Sequence, residues 1–124
     1  MTTFDGLLKS ELAKISSLND NVYPIKVPQD VEAPYIAYCM ADGTYLKTLD
    51  GEEPWEFVYE VNILSKSYSQ LKLLEKQVQN VLRGLEGKVS SDGTVKEISI
   101  EVPEQSYEEK VDLQKSVIPF TIYF

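Results

Sequence analysis

The stretch from Trp55 to Leu64 constrains the fold most, because its side chains alternate between two chemical characters. Aromatic and aliphatic residues face one way, and the opposite face carries Glu56 and Glu60. This pattern is typical of a strand in an antiparallel sheet, with one face buried under helices and the other wet or covered by a partner. The run from Ile118 to Phe124 repeats the alternation and predicts a second strand of the same sheet.

The N-terminal segment predicts a helix with one apolar face. It begins at Thr2 or Thr3, and Thr2 with Asp5 has the spacing of a capping box. Apolar residues then recur at helical spacing from Phe4 to Leu18, so this face is expected to lie on the sheet.

A second helix is predicted directly after the first strand. Ser67 and Gln70 have capping-box spacing, and an apolar stripe runs from Leu71 to Leu85. Gly84 or Gly87 is expected to supply the left-handed residue that ends it. The polar residues of this helix are predicted to lie mostly on its solvent side; they are Lys72, Glu75, Lys76, Gln79 and Arg83.

The remaining segments complete a sheet. Prolines bar residues 22–28 from a central strand, whereas Tyr35–Met40 is apolar on both faces and predicts a central, covered strand. The polar residues 42–54 predict a long hairpin connection, Asp92-Gly93 a tight turn, and residues 104–112 an acidic surface segment. The predicted fold class is therefore α+β, a mostly antiparallel β-sheet with two α-helices packed on one face, in a single domain spanning residues 1–124.

Composition limits the classes of function. The 124 residues carry a net charge of −8, which disfavours binding to phosphate backbones and anionic membranes. No secretory signal and no apolar run of about 20 residues is present, so neither export nor a membrane span is expected. The single cysteine fits synthesis in a reducing compartment.

Candidates for chemistry are few, because the chain contains no histidine. Cys39 lies among apolar neighbours and is predicted to be a buried, inert thiol. A group of carboxylates crowds one hairpin, which favours a solvated acidic loop, with a weak divalent-cation site between subunits as the alternative. These carboxylates belong to Asp50, Glu52, Glu53, Glu56 and Glu60. We predict no catalytic residue, no cofactor and no metal ligand.

An assembly role is one hypothesis that the residues support. The chain has eight tyrosines, a residue type enriched at protein interfaces because its ring buries area and its hydroxyl stays polar. The candidate interface residues all lie on the long hairpin, and they are Tyr45, Asp50, Glu52, Glu53 and Trp55.

Taken together, these segments resemble the small tail-completion, or tail-terminator, proteins of long-tailed bacteriophages and prophages. The resemblance covers nearly the whole chain as a pattern, and its sharpest piece is Ser67-Tyr68-Ser69 between a strand and a helix. The stretches that carry it are Leu7–Leu18, Val22–Pro24, Ala33–Ile36, Thr48–Gly51, Val61–Ser69, Leu71–Leu85 and Ile118–Tyr123.

The resemblance implies an α+β fold and a ring of about six copies at the end of the tail tube. Such a ring ends tube polymerisation and presents a surface to the head-completion or connector protein. It would assemble in the host bacterial cytoplasm and remain at the head-proximal end of the virion tail. An acidic lumen would let DNA pass without sequence-specific binding.

Two other classes of function fit the residue patterns. A small α+β ligand-binding or regulatory module, usually dimeric, predicts a discrete pocket and a ligand-dependent melting shift. A histidine-free hydrolase or nuclease would use magnesium on the acidic hairpin and lose activity when Asp50 or Glu53 is substituted. The residue patterns do not separate the assembly protein from the binding module, whereas the resemblance favours the former.

Overall fold

The computed structural model describes residues 2–18, 20–49 and 51–124, without the side chains of residues 46, 48, 52 and 53. The described helices are α1 (Phe4–Leu12) and α2 (Tyr68–Arg83), and a 3-10 turn covers Ser16–Leu18. The described strands are β1 (Val22–Pro24), β2 (Tyr35–Thr48), β3 (Gly51–Ser65), β4 (Val89–Ser90), β5 (Gly93–Thr94), β6 (Glu97–Ile100), β7 (Glu104–Glu108) and β8 (Leu113–Tyr123).

Six of these strands form one sheet in the order β1–β2–β3–β8–β6, and β7 pairs with another part of β8. β1 runs parallel to β2, and the other described pairings of this sheet are antiparallel. α2 packs on β3 and β8, and α1 packs against α2 and β1. The predicted fold class, α+β with a mostly antiparallel sheet, is confirmed. Neither helix of the described residues is long and apolar enough to cross a membrane.

The core lies between the helices and one face of the sheet, and aromatic rings fill its centre. The ring of Phe4 lies 5.2 Å from that of Tyr59 and meets Phe124 edge-on at 6.0 Å. Phe57 contacts Phe124 at 4.9 Å, and Phe120 stacks on Tyr59 at 5.6 Å. Burying a ring of this size stabilises the fold by about 1.5–3 kcal/mol. Most of these rings belong to the faces of β3 and β8 that the sequence alternation predicts to be buried.

The start of α1 differs in detail from the prediction. Thr3 is the N-cap, and its hydroxyl oxygen accepts a hydrogen bond from Gly6 N at 3.2 Å. The capping box predicted for Thr2 with Asp5 is wrong, because the Asp5 carboxylate instead accepts from the hydroxyl of Tyr59. Burial, reinforced by this hydrogen bond, raises the pKa of Tyr59. The helix is also shorter than its apolar pattern predicts, since the 3-10 turn replaces its last part.

Ser67 is the N-cap of α2 as predicted, but the predicted capping box is incomplete, because Ser67 N donates to the hydroxyl of Ser65 rather than to the side chain of Gln70. The hydroxyl of Ser67 accepts from Gln70 N at 3.2 Å, while the Gln70 side chain accepts from the hydroxyl of Ser65 at 2.5 Å. The C-terminus of the helix also differs from the prediction. Gly84 is the C-cap but has a right-handed φ of −71°. Gly87 has a φ of +86°, so it is the glycine that the reversal of the chain requires.

Glu75 was predicted to face solvent, and this is wrong. Its side chain is buried, forms an ion pair with Lys72 Nζ at 2.8 Å, and accepts from Gln105 Nε2 at 2.6 Å and from the hydroxyl of Ser116. Burial alone would raise the pKa of Glu75, but these hydrogen bonds outweigh it and hold the pKa below its usual range. Glu75 therefore ties α2 to β7 and β8.

The segment predicted as a hairpin connection and part of the segment predicted as an acidic surface segment are strands. Residues 42–54 continue the ladder between β2 and β3 down to the pair Thr48↔Gly51, and residues 104–108 pair with residues 113–117 of β8. A ladder needs backbone N–H and C=O groups, which polar segments supply as well as apolar ones. In these two segments, polar residues therefore indicate solvent exposure and do not indicate a loop.

The prediction for Tyr35–Met40 is correct in secondary structure and wrong in its coverage. Ile36 and Tyr38 are buried on the helix side, whereas Cys39 is half-buried on the other side and Met40 is exposed. The sheet is thus covered by helices on one face. β1 lies at the edge of the sheet, as its proline predicts.

β6 and β7 share one edge of β8, with Pro103 between them. Pro119 of β8 lies opposite this interruption, and its carbonyl accepts from Glu101 N at 2.9 Å. In an antiparallel ladder, a residue directs its nitrogen and its carbonyl to the same side. The N–H that Pro119 lacks therefore falls where the ladder is already broken.

Candidate functional site

The distal halves of β2 and β3 form an arm, defined here as residues 41–55. Pairing of β8 with β3 ends at Glu56, and pairing of β1 with β2 ends at Tyr38. Beyond these points the described strands pair with each other in a two-stranded ribbon. At about 3.3 Å per residue the ribbon is about 20 Å long.

Two register shifts shape the base of the arm. Ala41 of β2 and Trp55 of β3 are the extra residues, since the register skips each of them. Bulges bend a strand and change the direction of its side chains. Gly43 lies between them, where an added Cβ would come within 2.5 Å of the end of Met40 and 3.4 Å of the ring of Phe57.

Tyr45 and Trp55, two of the predicted interface residues, flank Pro54 on the arm. The side chain of Tyr45 is 48% exposed, and its ring packs edge-on against Phe57 at 5.8 Å. Trp55 is 43% exposed, and its carbonyl accepts from Phe124 N at 3.0 Å. The ring of Tyr45 is thus anchored to the core, Trp55 is held through its backbone, and both aromatic side chains remain accessible, as is common for aromatic residues at interfaces.

The acidic interface candidates lie nearer to the tip. The backbones of Glu52 and Glu53 pair with Lys47 and Leu46 of β2, and Asp50 lies outside the described residues. The arm therefore brings Glu52 and Glu53 into one hairpin with Tyr45 and Trp55, as the sequence predicts.

A half-open groove of about 560 Å³ lies at the base of the arm. Its lining consists of Pro54 and Trp55, the segment Ser90–Thr94, Lys96 and Phe124. Trp55 and Phe124 give it an apolar part, and Lys96 gives its rim a positive charge. No sequence pattern predicts this groove, because its residues come from three segments that are distant along the chain.

One wall of the groove is fixed to the start of α1. The carboxylate of Asp92 accepts from Phe4 N at 2.8 Å, and Ser91 N donates to the carbonyl of Thr2 at 2.7 Å. A carboxylate is favourable at a helix N-terminus, where backbone N–H groups are unpaired. The hairpin predicted here is confirmed, but its turn residues are Ser91 and Asp92 rather than Asp92 and Gly93, because Gly93 pairs with Ser90 as the first residue of β5 and has a φ of +131°.

The tip of the arm carries Leu49, whose side chain is fully exposed. Leu49 is not among the interface residues predicted from the sequence. A signal was available, because tight turns favour Gly, Asn, Asp, Pro and Ser, and a large aliphatic residue there is unusual.

The face of the sheet without helices holds the single thiol. Cys39 is half-buried beside its register partner Glu60, so the predicted full burial is wrong. Burial, and then the charge of Glu60, raises the pKa of Cys39, which keeps the thiol protonated and weakly nucleophilic at neutral pH. In the described part of the chain, no grouping of acidic and cysteine side chains could hold a metal ion.

Comparison with known proteins identifies a family whose sequence profile matches most of the chain. A sequence profile of the family described as tail completion protein gp17 matches residues 7–124. No curated protein sequence matches the chain. Among solved structures, a chain from the virion of a native gene transfer agent (GTA) particle is similar, with a TM-score of 0.72 and 15% sequence identity over 94% of this chain and 90% of that chain. At this identity, the similarity shows a shared fold.

Proposed function

The chain belongs to the tail completion protein gp17 family and is a structural protein of a phage tail, and from this premise we propose that it caps the tail tube as a ring. The ring ends tube polymerisation and presents the surface that joins the tail to the head-completion or connector protein. The profile match over residues 7–124 carries the proposal, and it confirms the family resemblance predicted from the sequence. Assembly takes place in the host bacterial cytoplasm, and the protein stays at the head-proximal end of the tail.

The arm is the surface that we assign to assembly. A two-stranded ribbon is marginally stable in water by itself, so an arm of about 20 Å gains from a partner that covers it. Tyr45 and Trp55 supply accessible aromatic area, and Asp50, Glu52 and Glu53 supply negative charge for a basic partner surface. The partners are other copies of the chain, the tube protein and the head-joining protein.

The net charge of −8 supports a role beside DNA without adhesion to it. A wall of negative potential repels a phosphate backbone, so a ring with an acidic lumen lets DNA slide past. Binding to a specific DNA sequence is not part of this function.

The test is the mass and shape of the assembled protein. Light scattering on a size-exclusion column at high protein concentration, with and without magnesium, measures the mass, and negative-stain imaging shows the shape of any large species. We expect a closed ring of about six subunits. A dimer that ignores concentration would favour the small binding module instead.

A monomer in solution leads to a capping assay with the tube protein, because such a ring can close on the tube. We expect added protein to stop tube growth at a defined length and to add density at one tube end. Tubes that grow on unchanged, with bare ends, would contradict the proposed function.

A further inference from the structure

The arm has complementary features at its two ends. Leu49 at the tip is fully exposed, and the groove at the base has Trp55 and Phe124 in its lining. Burial of an aliphatic side chain is favourable, and Leu49 does not gain this stabilisation in the single chain. The groove of about 560 Å³ is large enough for a tight turn that carries one aliphatic side chain.

The charges at the two ends are also complementary. Lys96 is exposed at the groove and forms no ion pair with the described residues. The carboxylate of Asp92 in the same lining accepts from Phe4 N at the start of α1, and Lys96 is the one basic side chain among the lining residues. The sequence of the tip from Asp50 to Glu53 contains three carboxylates.

The tip cannot reach the groove of its own chain. The ladder of the arm continues to Thr48↔Gly51, so it holds the tip away from Pro54 and Trp55 at the base. The two features can therefore meet between copies, and contact between different surfaces of one chain is head-to-tail. Head-to-tail contacts close into a ring when the rotation between copies allows it.

We propose that the groove of each copy receives the arm tip of the next copy. Leu49 of the next copy packs against Trp55 and Phe124 of the groove, and the negative charge that the sequence carries around Leu49 favours this approach to Lys96. The inference rests on the proposed assembly of several copies, and it adds which two surfaces of the chain meet.

Photo-cross-linking tests the contact directly. A benzophenone amino acid replaces Thr94 in the groove, and this chain is mixed with an isotopically heavy chain before assembly as a ring or as a cap on tubes. We expect adducts between the light groove and the heavy peptide that contains Leu49, identified by mass spectrometry. The same amino acid at Lys76, on the exposed side of α2, is the matched control and should give no such adduct.

A substitution pair measures the energy of the contact. Leu49→Ala should raise the protein concentration needed for half-assembly about tenfold, as expected for a buried interface anchor. Leu73→Ala removes the same side chain from an exposed position of α2 and should leave that concentration within about twofold.

The outcomes separate this inference from the proposed function. Rings or capped tubes without the adduct to Leu49, or with adducts to the tube protein in its place, would overturn the inference and leave the function intact. Equal effects of Leu49→Ala and Leu73→Ala would also overturn it. A chain that neither forms rings nor caps tubes would overturn both.

Discussion

Replacing Glu75 with alanine should destabilise the fold by about 3 kcal/mol. The substitution removes roughly one buried methylene, worth about 0.8 kcal/mol, and leaves the hydroxyl of the fully buried Ser116 without its acceptor, which costs about 1–3 kcal/mol. Lys72 and Gln105 are exposed and can turn to water, so their lost bonds add little. The lowered pKa of Glu75 indicates that its hydrogen bonds favour the ionised carboxylate in the folded chain in spite of its burial.

Urea unfolding followed by circular dichroism at pH 7 measures this change in the free energy of unfolding. Lys76→Ala, on the exposed side of the same helix, is the control and should stay within about 0.5 kcal/mol of the parent chain. Ser116→Ala should cost less in the Glu75→Ala background than alone, because the unpaired hydroxyl is then gone. A loss below about 1 kcal/mol for Glu75→Ala, or strict additivity of the pair, would refute the reasoning.

The same carboxylate predicts a pH dependence. The pKa of Glu75 in the folded chain is below its ordinary value of 4.5, so the unfolded chain takes up the proton first as the pH falls. The stabilisation is therefore complete above about pH 4.5 and disappears as the pH falls through the folded pKa. The stability difference between the parent chain and Glu75→Gln should shrink over that window, and a difference that stays constant down to low pH would contradict this.

Three further predictions concern other parts of the chain. Reversing the charge of Glu52 and Glu53 to lysine should weaken assembly without unfolding the monomer, and intact assembly by light scattering would count against a basic partner surface. Tyr59→Phe should cost about 1 kcal/mol of stability at neutral pH through the lost hydrogen bond. The parent chain should also lose stability above about pH 10, the ordinary pKa of a tyrosine, because burial raises the folded pKa of Tyr59, and the phenylalanine variant should lose less in a pH series. Gly87→Ala, at a φ of +86°, should cost about 1 kcal/mol in thermal melts, whereas Gly84→Ala, at −71°, should be tolerated; equal effects of the two would contradict the assignment of the left-handed position.

The sequence predicted those elements whose signals are local. The alternation of β3 and β8 and the cap at Ser67 depend on neighbours within a few residues, so one pattern was enough. The helix pattern predicts that Glu75 is exposed. Its burial depends on Ser116, which lies 41 residues away along the chain and so does not enter the local pattern. Polar periodicity identifies a wet face well, but it does not reveal a partner supplied by another element.

Only part of the candidate site was predictable from the sequence, again because local patterns do not reveal contacts between distant segments. The aromatic and acidic composition of the hairpin pointed to Tyr45 and Trp55, but the hairpin was interpreted as a loop because cross-strand pairing of polar segments has no one-residue signature. The groove brings Trp55, Lys96 and Phe124 together through tertiary contacts. Such a cavity can be found from the arrangement of strands, and not from any single stretch of the chain.

The interruption between β6 and β7 shortens the edge that the sheet offers to a strand of another molecule. Amyloid-like stacking begins when a strand from another molecule finds a long, continuous row of free backbone groups. β1 has three residues and ends at Pro24, β6 has four, and β7 has five and is separated from β6 by Pro103. The edges of the six-stranded sheet therefore offer only short segments for backbone pairing with a strand of another molecule. Contacts between copies then depend on surfaces where side chains give specificity.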